Sequence, residues 1–340
     1  MRGRATRLAG HGRLLAIVIA AALLAPPRLE AASAGTAEAI LASVVAVRAK
    51  VPSKARTART LGSERRGNGV VIADPTNQGG VLILTIGYLV IEADDIEITD
   101  NADRTVSASL VGYDPDSGLG LLRPAGAIEF NPIALGDSAE MDQSKAALVA
   151  GHGGVAQARA VKVVARRPFA GGWEYLIEDA IFTTPPYPEF GGAALIAPNG
   201  TLVGIGSLIL SEAAAGVPGN MFVPTDRLKP ILADLVKTGR TSAAPKPWLG
   251  INTQEIHGQL FVTSVSPDGP AQRAGVHEND IVLGVHGQPV KDLPDFYRKL
   301  WAEGPAGTEI PLNLLQGRMM VILPITSVDR TNYLHLNPTY

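Results

Sequence analysis

The sequence contains no cysteine, which excludes disulfides, cysteine nucleophiles and thiolate metal sites together. Aromatic residues make up only 5% of the chain. No apolar run reaches the ~20 residues that cross a bilayer as a helix. Neither charge sign dominates. With 30 Lys and Arg against 32 Asp and Glu the formal charge is −2, so bulk electrostatics imply neither a nucleic-acid partner nor an acidic substrate. HExxH, clustered His/Asp spacing and a glycine-rich phosphate loop are all missing, so the sequence implies no cofactor and no metal. The acid-rich stretch from Glu92 to Asp103 lacks the glycine-centred spacing of a calcium loop and reads as a solvated hairpin.

What is present starts at the N-terminus. Four arginines and no acid occupy residues 1–13, and "LLAIVIAAALLA" follows as a run of 12 apolar residues. A small-x-small site stands at Ala32-Ser33-Ala34. That anatomy predicts a cleaved secretory signal peptide over residues 1–34 and an exported, periplasmic or secreted mature protein; the alternative is an uncleaved inner-membrane anchor facing the periplasm.

With 37 Gly and 25 Pro among 340 residues, the remainder has material for two or three strand-rich domains. Residues 38–240 run as short apolar segments broken by Gly, Asn, Asp and Pro, such as "GNGVVIAD", "GGVLILTI", "WEYLIEDA" and "AALIAPNGTLVGIG". Asn199-Gly200 is a hairpin signal, because glycine supplies the positive φ such turns require. About ten such strands without intervening helices predict antiparallel barrels or a sandwich. The period then becomes helical in "TDRLKPILADLVKTGR", with Thr225 or Asp226 as N-cap and Gly239 as stop. Residues 241–247, "TSAAPKP", read as a linker. Residues 248–328 form a compact α+β module with a short helical turn at "PAQRAG". Its amphipathic helix repeats Leu293, Phe296, Tyr297, Leu300 and Trp301 on one face, with Asp292 as N-cap. Residues 329–340 are a tail.

"SPDGPAQRAGV", "ENDIVLGVHGQPV" and the helix after them resemble the PDZ domain of bacterial periplasmic proteases. In the domain before it, "VGYDPDSGLGLL" looks like "VGxDxxxDLALL" and "FGGAALIAPNGTLVGIGS" looks like "SGGPLVNxxGxVVGI". Together these pieces resemble the HtrA/Deg family, and the resemblance covers nearly the whole mature chain. It implies a mainly β protein: a trypsin-like double β-barrel, a PDZ domain, binding of peptide C-termini or unfolded proteins, and homo-oligomers in the form of trimers.

Hydrolysis in that family needs a hydroxyl nucleophile, an imidazole base and a carboxylate that holds the imidazole. The resemblance puts Tyr88 where the histidine falls, Gly118 where the aspartate falls and Phe190 where the serine falls. A phenol with a pKa of about 10 is a poor base, glycine orients nothing, and phenylalanine has no nucleophilic atom. Pro188 and Glu189 replace the residues before the nucleophile, and proline donates no N–H to an oxyanion. Of the six histidines only His152 belongs to the barrels, and a displaced triad from His152, Asp116 and Ser207 is disfavoured because triads tolerate little misplacement. The expectation is a pseudoprotease whose catalytic set is empty; the alternative is an active endopeptidase with an unrecognised serine.

The PDZ module keeps a hydrophobic-Gly-hydrophobic loop at Trp248, Leu249, Gly250 and Ile251, whose N–H groups would take a peptide carboxylate. Phe296 and Leu300 are candidates for the far wall of that groove, or for core.

Overall fold

A computed structural model describes residues 34–126, 131–334 and 336. The signal-peptide segment and His11 lie outside the described residues, as does His335. Among the described residues no helix is long and apolar enough to cross a membrane.

After helix α1 (Ala34–Leu41) come β1 (Val44–Lys50), the short helix α2 (Ala58–Leu61), β2 (Glu64–Ala73), β3 (Val81–Ile86), β4 (Asp95–Thr99), β5 (Thr105–Tyr113) and β6 (Leu119–Pro124). These six strands close into an antiparallel barrel in the order β1-β2-β3-β6-β5-β4. Local pattern explains each face: in β4, Ile96 and Ile98 point inward while Asp95, Glu97 and Thr99 point outward. The acid-rich stretch does form the β4–β5 hairpin, with Asp95 paired to Lys50 at 2.6 Å and Asp100 paired to Arg104 at 2.7 Å.

A second barrel closes as β10-β11-β12-β9-β8-β7, from β7 (Ala146–Ala150), β8 (Ala158–Gly171), β9 (Tyr175–Thr184), β10 (Ala194–Ile196), β11 (Leu202–Ala214) and β12 (Val217–Pro224). The Asn199-Gly200 hairpin is present, with Gly200 at φ +82° and the Asn199 side chain accepting from Thr201. One continuous apolar core, including Val47, Leu84 and Leu121 of the first barrel and Phe182, Ile205 and Val223 of the second, joins the two.

The linking helix is shorter than its periodicity predicts. α3 spans Leu232–Thr238, stopped by Gly239 at φ 75°, and a 3-10 turn occupies Thr225–Arg227. Neither Thr225 nor Asp226 caps it. Thr225 is buried against the carbonyls of Gly136 and Leu202, and Asp226 accepts from Ser138 and Ala139. Tertiary partners outbid the local cap.

The last sheet runs β13-β14-β15-β17-β18, with β16 paired to β15. Its strands are β13 (Ile251–Ile256), β14 (Gln259–Val265), β15 (Ile281–Val285), β16 (Gln288–Pro289), β17 (Glu309–Gln316) and β18 (Met319–Thr326). Helix α4 (Pro270–Arg273) follows β14 and α5 (Leu293–Ala302) follows β16. Asp292 caps α5 by accepting from the Asp295 N–H at 2.7 Å. The described part of the tail packs against the first barrel. Helix α6 (Arg330–Tyr333) is capped by Asp329, and Leu334 is buried with Ile91 and Tyr113 of the first barrel.

Candidate functional site

The segments holding Tyr88, Gly118 and Phe190 meet at the junction of the two barrels. Tyr88 sits in a 3-10 turn after β3, held by the buried Arg65, whose guanidinium donates to the Tyr88 carbonyl at 2.8 Å and to that of Ile91. Burial lowers the Arg65 pKa to about 10, still far above neutral. The Tyr88 hydroxyl donates to the Ser207 carbonyl at 2.9 Å and would lie 3.0 Å from a Cβ on Gly191. Gly118 adjoins the same turn, since its carbonyl accepts from the Gly87 N–H at 2.7 Å.

Each of the three positions is held by local contacts. Burial raises the Tyr88 pKa, so its phenol stays protonated, and its proton is already committed to a carbonyl. Gly118 is left-handed at φ +73°, and a Cβ there would come within 3.2 Å of the Tyr175 ring. That ring is itself fixed by the Tyr175 hydroxyl donating to the Ser117 carbonyl at 2.7 Å. The turn at Phe190 is stapled through Asn68. The Asn68 N–H donates to the Gly191 carbonyl at 2.7 Å, and the Asn68 amide donates to the Glu189 carbonyl at 2.7 Å. These residues therefore hold a hydrogen-bonded scaffold and no relay of hydroxyl, imidazole and carboxylate.

The displaced set is scattered. His152 pairs through Nε2 with the Asp100 carbonyl at 2.9 Å, Asp116 pairs with Lys246 at 3.0 Å, and Ser207 turns its carbonyl to Tyr88. Among the described residues no cluster of three or more His, Cys, Asp or Glu has metal-binding geometry.

The loop at Trp248–Ile251 has a feature that the sequence did not disclose. Its N–H groups converge on a carboxylate of this same chain. Glu174, at the tip of the β8–β9 hairpin, accepts from Leu249 at 2.9 Å through Oε2, and from Gly250 at 2.7 Å and Ile251 at 3.0 Å through Oε1. Gly250 makes the cradle possible. It is left-handed at φ +82°, and a Cβ would press on the Trp248 ring and Ser266. Trp248 serves the loop differently: its backbone bridges to Val328 and its ring packs 4.6 Å from that of Tyr333.

The rest of the hairpin tip lies along the groove. The Thr253 N–H donates to the Gly172 carbonyl at 2.8 Å, and a Cβ on Gly172 would overlap the Thr253 carbonyl oxygen. Tyr297 of α5 donates to the Gly171 carbonyl at 2.7 Å and accepts from the Glu174 N–H at 3.0 Å. Leu176 joins the apolar core of the last sheet together with Phe296 and Leu300, both fully buried. Arg298 and Glu178 form a bidentate pair at 2.7 and 2.8 Å outside it. Sequence reasoning read "WEYLIEDA" as one strand, but β9 starts at Tyr175 and Trp173-Glu174 belong to the turn. The paired glycines Gly171-Gly172 were the only local sign that a tight approach occurs there.

Comparison with known proteins fits this architecture. Residues 67–205 match the trypsin-like peptidase domain and residues 247–326 match the PDZ domain. The Escherichia coli periplasmic pH-dependent serine endoprotease DegQ is 25% identical over 277 residues, covering 77% of this chain and 59% of DegQ. The chain joins a trypsin-like peptidase domain to a PDZ domain and is similar to the HtrA/Deg proteins. A DegP-like probable periplasmic serine endoprotease of Pseudomonas putida is 26% identical, covering 77% of this chain and 56% of the relative. The chain thus spans less than two thirds of the length of those curated relatives. Two solved structures share its fold. A variant of the HtrA-type protease AlgW with decapeptide has a TM-score of 0.52 at 22% identity, covering 87% of this chain and 97% of that one. A serine endoprotease from Yersinia pestis has a TM-score of 0.50 at 24% identity, covering 86% and 97%.

Proposed function

We propose that this HtrA/Deg protein is an exported, non-cleaving scaffold: a pseudoprotease whose PDZ domain captures peptide C-termini or unfolded envelope proteins. The observation that carries the reading is the junction of Tyr88, Gly118 and Phe190, which stand where the family resemblance puts base, orienting acid and nucleophile. Phe190 offers no attacking atom, Tyr88 has its hydroxyl tied to the Ser207 carbonyl, and Gly118 carries no carboxylate and sits at a positive φ where a Cβ would crowd the Tyr175 ring. Loss of a complete triad in a serine protease costs on the order of 10⁶ in turnover, with ~10³–10⁴ over water left to the oxyanion hole and binding. Here Pro188 removes an N–H from that hole as well. The Leu249–Ile251 cradle supplies the complementary half of the proposal, since three convergent N–H groups are the chemistry that holds a carboxylate.

The names of the relatives favour the opposite reading, a working serine endopeptidase. Purified protein incubated with unfolded casein and a fluorophosphonate probe separates the two. No cleavage and no adduct are expected, and casein fragments together with a labelled serine would sink the pseudoprotease reading.

A further inference from the structure

We propose that the β8–β9 hairpin tip is a built-in ligand of the PDZ groove, so that a peptide's free C-terminal carboxylate enters only by displacing Glu174. The inference rests on the peptide-capture reading above and concerns how that site is regulated.

The geometry is that of a bound peptide made from the inside of the chain. A C-terminal ligand of a PDZ domain adds as a strand to a sheet edge, with its carboxylate in the N–H loop and its preceding residues on the edge strand. The hairpin tip reproduces both contacts in the same order. The Glu174 carboxylate lies on the N–H groups of Leu249, Gly250 and Ile251, and two residues earlier the Gly172 carbonyl accepts from Thr253 of β13. Helix α5 closes the opposite side through the Tyr297 hydroxyl, which bonds the tip at both Gly171 and Glu174. The groove's carboxylate cradle and its first edge-strand donor are therefore both taken.

The tip is also shaped for exchange. Glu174 holds a left-handed backbone at φ 58°, a conformation costly for a residue with a side chain, and it is sustained by the surrounding bonds. The Glu174 side chain is buried yet lines a cavity of ≈ 500 Å³ that runs along the linker past Trp248, Lys246 and Arg330. The charged anchor Arg298–Glu178 is exposed, where ion pairs contribute little and separate readily.

Two measurements on the full chain test this. The first needs no peptide: hydrogen exchange at the amides of Leu249, Gly250, Ile251 and Thr253. They are expected to be protected in the wild type, with the first three exchanging at least tenfold faster in Glu174→Ala while the barrel amides stay unchanged. Equal exchange in both proteins shows that the tip is not docked and overturns the proposal. The second is binding of a fluorescent pool of decapeptides with free C-termini, beside the same pool amidated. Glu174→Ala is expected to bind the free-acid pool at least tenfold more tightly than wild type, and the amidated pool is not expected to bind. Tyr297→Phe, which loosens the tip without touching the cradle, is expected to tighten binding severalfold and serves if Glu174→Ala does not fold. Gly250→Asp in the Glu174→Ala background should abolish it. Equal affinity of wild type and Glu174→Ala for the free-acid pool overturns the gating and leaves peptide capture standing. Protected amides with no binding by either variant overturn the gating and the peptide-capture reading together, leaving Glu174 as a fixed staple.

Discussion

Glu174 is buried among backbone donors, and its ionisation is the chemical variable of the docked tip. Burial outweighs the three N–H bonds and lifts its pKa to about 7, from 4.5 when free. The groups around it are the Tyr297 hydroxyl from α5 and the Arg330 guanidinium from α6, with Asp114, Asp116, Lys246 and Asp329 along the adjoining cavity. The docked state thus binds more protons than the free tip between pH 4.5 and 7. Docking is strongest below this window and weakens as pH rises through it, by up to about 3 kcal/mol, with no further change above it. Glu174→Gln cannot titrate. The melting temperature of the wild type minus that of Glu174→Gln should therefore fall between pH 5 and pH 8, and a flat difference would contradict the assignment. Gly118 is a second residue with one outcome to check. Gly118→Asp puts a Cβ at φ +73° beside the Tyr175 ring. It should cost about 1–2 kcal/mol in urea unfolding and restore no casein cleavage, even with Tyr88→His and Phe190→Ser alongside.

At the scale of elements, the β8–β9 hairpin does two jobs. Its strands close the second barrel, β8 against β7 and β9 against β12, while its tip reaches into the next domain. Gly172 is the contact where the tip runs against the edge of β13, because any side chain there collides with the Thr253 carbonyl. Gly172→Ala should leave both barrels folded and undock the tip. Limited trypsin digestion should then nick the chain faster after Arg240, which lines the cavity beside the tip. An unchanged digestion rate would mean that the hairpin accommodates the methyl group. Much of this element was legible beforehand. Alternation in "YLIEDAIF" and the flanking Gly171-Gly172 announce a strand and a turn, since side chains alternate between two faces of a sheet. Where the turn goes was not legible, because the acceptor and donors that fix it lie about 75 residues apart.

At the scale of the molecule, the hairpin tip and the C-terminal strap hold the PDZ sheet against the barrels, with the Arg56–Asp268 pair beside them. The strap crosses back from Val328, where it bridges Trp248, to Leu334 in the Ile91–Tyr113 pocket. On its way the Arg56 guanidinium lies 4.6 Å over the Tyr333 ring, and Arg330 donates to the Trp173 carbonyl. Removing residues 330–340 exposes the Leu334 site and frees one side of the tip. Burial of a leucine contributes about 2 kcal/mol, so a loss of that order in unfolding free energy is expected, with a larger radius of gyration by X-ray scattering. A truncated chain as stable and compact as the parent would show that the strap does not hold the domains together and leave that role to the hairpin and the Arg56–Asp268 pair.

By itself the sequence determined that strands fill residues 38–240 and an α+β module follows, because alternation, glycine turns and helical periodicity are local. Barrels or a sandwich stayed open, and the double barrel and the PDZ domain were what the family resemblance implied. The same resemblance, through short motifs in order, is what puts Tyr88, Gly118 and Phe190 at the triad positions. Tertiary structure alone decided that these three segments share one hydrogen-bonded junction, that Thr225 and Asp226 serve the barrel rather than cap α3, and that the PDZ cradle is occupied. The physical reason is common to all three. A buried polar group must be satisfied, and its partner is whichever donor or acceptor the fold brings near, not the nearest one along the chain. Glu174 is the clearest case: an unremarkable acid in a run of strand residues that the packing of two domains turns into the occupant of the PDZ groove.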